Sequence, residues 1–300
     1  MAISRAQLVK ELEPGRNALF GLEYKRYDSE HEEIYAKESS DRAFEEEVML
    51  SGFANAQTKP EGQGVSFDEA QETFTARYTH ETVALAFAIT EEAMEDNLYD
   101  RISSRYTKAL ARSMAQTKQV KAAAPLNNGF GTFQSGDGVA LFSASPPTIA
   151  GTFSNTLSTA ADLNETSLEQ AMIDIAAFTD ERGLKIAAKG MKMIIPSALQ
   201  FTADRLMKSP GRVGTADNDI NALKNMGMIP QGYRVNHYLT DTDAFYIITD
   251  VPNGMKYFDR APLKTAMEGD FDTGNVRYKA RERYSFGCSD PRGIYASPGA

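Results

Sequence analysis

The chain has 300 residues, 42% hydrophobic and 24% charged content, and a net charge of −9. This is the composition of a soluble globular protein, and its acidity argues against an open nucleic-acid-binding surface, which concentrates Lys and Arg. The single cysteine, Cys288, excludes an intrachain disulfide, and no stretch approaches the roughly 18–20 apolar residues of a membrane span.

The first 50 residues read as an arm. Residues 4–12 suit a short helix that Pro14-Gly15 breaks, and Leu19, Phe20, Leu22 and Tyr24 then form a small apolar patch. A patch this small must dock on something larger to be ordered. MAISRAQLVKELEPG has no apolar signal core, so the chain is expected to be made in the cytoplasm. Residues 28–50 carry nine Asp or Glu against Lys37 and Arg42, whereas Arg277, Lys279, Arg281, Arg283 and Arg292 dominate the end. Two readings stay open: ordinary solvated faces, or acidic and basic segments of neighbouring copies that attract one another.

Residues 51–89 read as a long hairpin. Lys59-Pro60-Glu61-Gly62-Gln63-Gly64 has the composition of a loop tip. Phe74, Ala76 and Tyr78 alternate with polar residues, and Val83, Leu85, Phe87 and Ile89 alternate again, the period of a strand. Such a hairpin is marginal alone in water and is expected to lie on another surface.

Thr90 to Ala124 reads as one helix of 35 residues without Gly or Pro, stopped by Pro125. It would span about 50 Å, far beyond an average helix. Its apolar positions Met94, Leu98, Ile102, Tyr106, Leu110 and Met114 recur every four residues. A step of four overshoots a turn by roughly 40°, so the stripe slides around the rod and touches different bodies. Residues 122–161 follow with Asp137 as their only charge, a long loop or loose strands packed between larger parts.

From residue 162 the pattern is α+β. Thr166-Ser-Leu-Glu169 opens a helix as a capping box, Leu168, Met172, Ile175 and Thr179 continue it, and Gly183 closes it. Met191–Ile195 is a strand, Ser197-Ala-Leu-Gln200 a second capping box, and a short helix covers Asp219–Met226. Strands follow near Tyr233–Val235, Ala244–Thr249 and Met255–Asp259. The last runs from Asn275 to Gly287, with Val276, Tyr278, Ala280, Glu282 and Tyr284 on one side.

Chemistry is scarce. His31, His80 and His237 each stand alone, with no HExxH or paired cysteines to make a metal site. No phosphate loop occurs, and Gly129-Phe-Gly131 lacks the third glycine of a dinucleotide site. Asp217-Asn-Asp219 starts like a calcium loop but has Ala222 in place of its glycine. Cys288 reads as a small buried residue. No catalytic, cofactor-binding or metal-binding residue is nominated, and the chain reads as built for shape. A soluble α+β enzyme or ligand-binding protein with a pocket in residues 160–260 remains the alternative.

The order of parts resembles the major capsid proteins of tailed bacteriophages with the Hong Kong 97-type fold, and among them the Mu-like major head subunits. Phe20-Gly-Leu-Glu-Tyr24, Glu61-Gly62 with Phe67-Asp68, and Ile89-Thr-Glu-Glu-Ala93 running into Asp96-Asn-Leu-Tyr99 carry the resemblance. Met193-Ile-Ile-Pro196, Arg281-Glu-Arg-Tyr284 and Asp290-Pro-Arg-Gly-Ile-Tyr295 complete it. It implies an N-arm (1–50), an E-loop (51–82), a P-domain (83–159 and 253–300) around a spine helix (90–124), and an A-domain (160–252). Intersubunit contacts would fall on Leu19, Phe20 and Tyr24 of the arm and on Lys59, Glu61, Phe67 and Arg77 of the E-loop. Arg212 and Gly214 would lie in the loop at the capsomer centre.

By the same resemblance the chain would form pentamers and hexamers of an icosahedral head around double-stranded DNA, bound without sequence specificity. Its partners would be a portal and a separate scaffolding protein, since an arm beginning at Met1 is too short to be a scaffolding segment. A cement protein outside the shell is left open. Lys59 is the only lysine of the E-loop and has no assignable partner, so covalent crosslinking is not expected. An encapsulin-like compartment shares the fold and is the second shell reading.

Overall fold

The computed structural model describes residues 17–26, 28–90, 92–93, 99–212, 219–270 and 274–300. Residues 17–24 form a helix, α1. Strands β1 (Ala36–Ser39), β2 (Phe44–Leu50), β3 (Glu72–Thr79) and β4 (Glu81–Ile89) follow, and then the long helix α2 (Tyr99–Asn127). The expected helix start at Thr90, and with it Met94 and Leu98, falls largely outside the described residues.

Pro125 does not stop α2. The helix runs through it to Asn127, because the turn that carries it is held by tertiary contacts. Leu126 is fully buried, and the Tyr35 hydroxyl donates to the Ala122 carbonyl at 2.6 Å. A proline removes one backbone bond and crowds the preceding turn; here packing outweighs that cost.

Beyond α2 lie a two-residue strand pair, β5 (Pro147–Thr148) with β6 (Gly151–Thr152), and helix α3 (Glu165–Ala176). Asn155, fully buried, ties this low-charge tract down. Its amide donates to the carbonyls of Leu141 (2.7 Å) and Pro291 (3.1 Å), and its Oδ1 accepts from the Ser143 amide. The N-cap of α3 is Asn164 rather than Thr166, in a reciprocal box with Ser167. The helix ends at Ala176, and Gly183 instead turns residues 180–184 with a φ of +82°. Leu168, Met172 and Ile175 are buried as their spacing predicts.

Strand β7 (Gly190–Ile195) leads to a 3-10 turn at Ser197–Leu199 and helix α4 (Gln200–Lys208). Pro196 occupies the cap position before that turn, so the expected Ser197 capping box does not form. Helix α5 (Ala222–Met226) starts three residues later than expected because the Asn221 side chain caps the Lys224 amide. Strands β8 (Tyr233–Val235), β9 (Phe245–Thr249), β10 (Met255–Gly269), β11 (Val276–Cys288) and β12 (Ile294–Ser297) complete the chain.

Two four-stranded sheets result. One has the order β1-β10-β11-β4 and the other β12-β9-β7-β8. Side chains alternate across a strand, and the second sheet uses both faces. Met193, Ile195, Phe245, Ile247 and Tyr295 pack against α3, α4 and α5. Ile194, Tyr246, Ile294 and Ala296 face Leu126, Leu141, Phe142, Tyr257 and Tyr284, which joins this sheet to the end of α2 and to the first sheet.

The expected hairpin over 51–89 is two different pairings. β3 runs antiparallel to β2, with Phe44 opposite Thr79 and Val48 opposite Thr75, while β4 pairs with β11. The ribbon therefore begins at Phe44, inside the stretch read as an arm. His80 stands between β3 and β4, held from both ring nitrogens by Ser285 and Ser40 hydroxyls at 2.9 Å.

Candidate functional site

The β2–β3 ribbon is firmly rooted and its far end is bare. At the root, the Tyr78 hydroxyl lies 2.5 Å from Ser289 Oγ, which donates to the Glu47 carboxylate. Lys256 Nζ meets Glu47 at 2.5 Å and Glu38 at 3.0 Å. Gly287 leaves room for Tyr78, since a Cβ there would stand 2.6 Å from its ring. Beyond this anchor residues 53–72 are all exposed. They include Phe53, Val65 and Phe67, the last 94% exposed, and Phe44, Val48 and Leu50 add an outward apolar row on β2. So many apolar groups on one projection mark an interaction surface.

Of the expected E-loop contacts, Lys59, Glu61 and Phe67 stand on this exposed loop. Arg77 pairs with Glu46 at 3.7 Å and covers the Phe44 ring at 4.1 Å. The row Phe44, Val48, Leu50 was hidden by the acidic run around it; its signal was the period of two in FEEEVML.

The arm residues behave differently. Phe20 is buried against Leu110, Ala111, Met114, Tyr278 and Ala280 of its own chain. Tyr24 packs beside it and donates to Glu282 Oε2 at 3.1 Å. Both make contacts within their own chain, because the first sheet offers α1 an apolar trough. Leu19 is half-buried and Leu22 is exposed.

On α2, Leu110 and Met114 are buried and Tyr106 is half-exposed with its ring 5.8 Å from Phe87, while only the backbone of Ile102 is described. Arg212 pairs with Glu165 at 2.8 Å, and Gly214 lies outside the described residues.

A polar cluster missed by sequence reading sits where α1, α2 and β11 meet. Glu282, 2% exposed, accepts from Tyr24 and from Lys118 Nζ at 3.4 Å. The Lys118 ammonium also stands 5.0 and 5.2 Å from the Tyr257 and Tyr284 ring centres. Burial raises the Glu282 carboxyl above its ordinary value, against the pull of Lys118. Nearby, His31 Nδ1 accepts from the Gln119 side-chain amide at 3.0 Å, and its backbone N–H donates to the Gln119 Oε1. Tyr24, His31, Lys118, Gln119, Tyr257 and Glu282 line a cavity of about 830 Å³.

Burial, then the charge of Lys118, lowers the His31 pKa to about 4 from an ordinary 6.5. Its neutral form therefore stabilises the fold fully above pH 6.5, and that contribution is lost as pH falls from 6.5 to about 4. The difference corresponds to about 3 kcal/mol. Urea unfolding of His31→Gln should lack the part of the acid destabilisation that falls in this window; an unchanged pH profile would contradict it.

Little of this arrangement suits chemistry. Among the described residues no three His, Cys, Asp or Glu side chains group as a metal site. The Cys288 thiol is buried, which holds it protonated, and it donates to the Asp290 carbonyl at 3.2 Å. His237 is exposed and pairs with Glu30 at 2.6 Å. No helix among the described residues is long and apolar enough to cross a membrane.

The acidic run is largely spent inside the chain. Glu33 meets Lys192 at 2.6 Å and Arg234 at 3.4 Å, and Glu45 bonds Ser40 at 2.7 Å. Glu30, Glu38, Glu46 and Glu47 are paired as above, while Glu32 and Asp41 are exposed and form no ion pair among the described residues.

Comparison with known proteins agrees with a shape-making role. A profile described as phage capsid protein matches residues 72–297. No curated protein matches the chain. Among solved structures, the capsid of an empty GTA particle superposes with a TM-score of 0.59 at 15% identity, covering 90% of each chain. The capsid of Myoviridae phage XM1 gives 0.55 at 10% identity over 89% of each chain. A virus-like particle from Pyrococcus furiosus gives 0.53 at 10% identity, covering 93% of this chain and 96% of that one. At such identities the likeness is one of fold.

Proposed function

The chain belongs to the phage capsid protein family, and on that premise we propose how its copies build a shell. It is a structural major capsid protein of the virion, with the Hong Kong 97-type α+β fold. Copies gather into pentamers and hexamers of an icosahedral head that encloses double-stranded DNA without reading its sequence. Residues 1–50 act as the N-arm, 51–82 as the E-loop, 83–159 and 253–300 as the P-domain, and 160–252 as the A-domain. Within the family the chain groups with the Mu-like head subunits, on the residues quoted above for that resemblance. A portal and a separate scaffolding protein complete the assembly, which takes place in the host cytoplasm, and the subunit performs no catalysis.

The observation that carries this reading is the ribbon anchored by Glu47, Tyr78 and Lys256 and bare over residues 53–72. A ribbon without a core of its own gains nothing by projecting into water. It gains stability when a neighbouring copy covers Phe53, Val65 and Phe67, each worth roughly 1.5–3 kcal/mol on full burial.

Size-exclusion chromatography with light scattering tests the proposal. The expressed chain should run as capsomers or shells far above its 32.9 kDa, and a strictly monomeric species at all concentrations would contradict it. Closed shells that load a tagged cargo peptide, with neither portal nor DNA, would instead favour the encapsulin-like reading. Without crosslinks between subunits, boiled shells should give a single band at the monomer mass.

A further inference from the structure

The β2–β3 ribbon and the first sheet meet at a single residue. Thr79 lies opposite Phe44 in the ribbon and Glu81 lies opposite Tyr284 in the sheet, so His80 alone belongs to neither ladder. Element-terminal positions of this kind absorb the φ/ψ change when two bodies swing against each other. The angle between ribbon and sheet is therefore set at His80, by whatever holds its side chain.

His80 is buried, with the Phe258 ring of β10 6.4 Å away between centres. Its hydrogen bonds run in one direction. Ser40 Oγ donates its single proton to the Glu45 carboxylate at 2.7 Å, so it accepts from His80 Nε2–H. Nδ1 is then the bare nitrogen and accepts from the Ser285 hydroxyl. The order Ser285, His80, Ser40, Glu45 thus joins β11 to β2 through the corner of the chain.

A proton on Nδ1 breaks this order. Two donors would then face each other, and the buried Ser285 hydroxyl would lose the acceptor it has now. Two cations also act on the ring, Arg283 of β11 and Arg260 of β10, against the single carboxylate of Glu45. Burial, then Arg283, lowers the imidazole below its ordinary 6.5. The neutral, bonded form is therefore fully present above pH 6.5 and is lost as pH falls through the lowered value. Glu47, tied to Ser289 and Lys256, keeps the ribbon attached when the corner loosens.

We infer that His80 is a positioning residue that, while neutral, locks the β2–β3 ribbon at one angle to the first sheet, and that loosens it on taking up a proton. The lock belongs to the single subunit, so it stands or falls apart from the shell reading above.

Hydrogen exchange on the full chain, corrected for the intrinsic effect of pH, reads the lock at residues 44–50 and 72–79. Protection there should fall on the order of ten-fold between about pH 7.5 and about pH 5, while α3 and β9 keep theirs. His80→Gln retains a donor toward Ser40 and takes up no proton, so its ribbon should be equally protected at both pH values. Ser285→Ala removes the hydroxyl that occupies Nδ1, so the fall should begin at higher pH, a shift that a merely structural role would not produce. Ribbon protection independent of pH in the unmodified chain, or an equal fall in His80→Gln, would overturn the inference. So would a fall shared equally by α3 and β9, which would assign the effect to the whole subunit. Should His80→Gln fail to fold, Ser285→Ala decides, and an unshifted or downward-shifted fall would overturn the lock. Each readout is made whether or not particles form, so failure to assemble bears on the shell reading and not on His80.

Discussion

Arg292→Ala should lower the unfolding free energy by about 3–5 kcal/mol, the cost of breaking a buried ion pair from one side. Arg292 and Glu181 are 5% and 2% exposed, and their charged groups meet directly. The guanidinium also reaches Asp290 Oδ2 at 3.4 Å and lies 5.1 Å from the Phe153 ring centre, while the Arg292 carbonyl accepts from the Thr249 hydroxyl at 2.7 Å. The Arg292 side chain therefore links the turn after α3 to the segment after β11, and its backbone carbonyl ties both to strand β9.

Without it, two buried carboxylates lose their cation. Burial already raises the Asp290 carboxyl above its ordinary value despite Arg292, so the variant should be less impaired at acid pH, where the Asp290 carboxyl protonates. Arg292→Met with Glu181→Met should recover most of the loss, since apolar replacement of a buried pair is often neutral. Denaturant unfolding checks both, and a single-variant loss below about 1 kcal/mol would show the pair to be incidental.

The second large effect separates folding from assembly. Replacing residues 53–70 by a short Gly-Ser linker should leave the subunit folded and abolish closed particles. Inside the subunit the loop makes few ties: the Ala54 amide donates to Asp68 at 2.7 Å and Arg182 donates to the Glu69 carbonyl at 2.6 Å. Its apolar groups bury nothing in their own chain, and long loops cost little to shorten. Unfolding should shift by no more than about 1 kcal/mol, within the range of surface changes. Particles of ordinary diameter from the shortened chain would show that the loop is dispensable.

Several parts of this architecture were legible in the residues because local signals and tertiary demands agreed. The alternation Val276, Tyr278, Ala280, Glu282, Tyr284 gave the buried face of β11, and all five are buried. The spacing Leu168, Met172, Ile175 gave the inward face of α3. The misses share a cause: long-range contacts overrode local punctuation. Pro125 marked a stop, but Leu126 and Ala122 had a core to enter. Thr166 and Ser197 suited caps, but Asn164 and Pro196 stood where the backbone turned.

The candidate surface was half legible. Phe67, Lys59 and Glu61 were recognisable as a bare loop from Gly and Pro alone. Phe20 and Tyr24 were not assignable, because an apolar patch announces that it docks and not on which chain. Partners such as Glu282 with Lys118, or Arg292 with Glu181, lie more than a hundred residues apart. No periodicity encodes them.

In the proposed shell, neighbouring copies of the chain supply the core that the ribbon lacks. A cryo-electron microscopy reconstruction of the assembled particle measures this directly. The expected reconstruction is a closed shell in which Phe53, Val65 and Phe67 of each copy are covered by an adjacent subunit. A closed shell with residues 53–72 still free in solvent would contradict it.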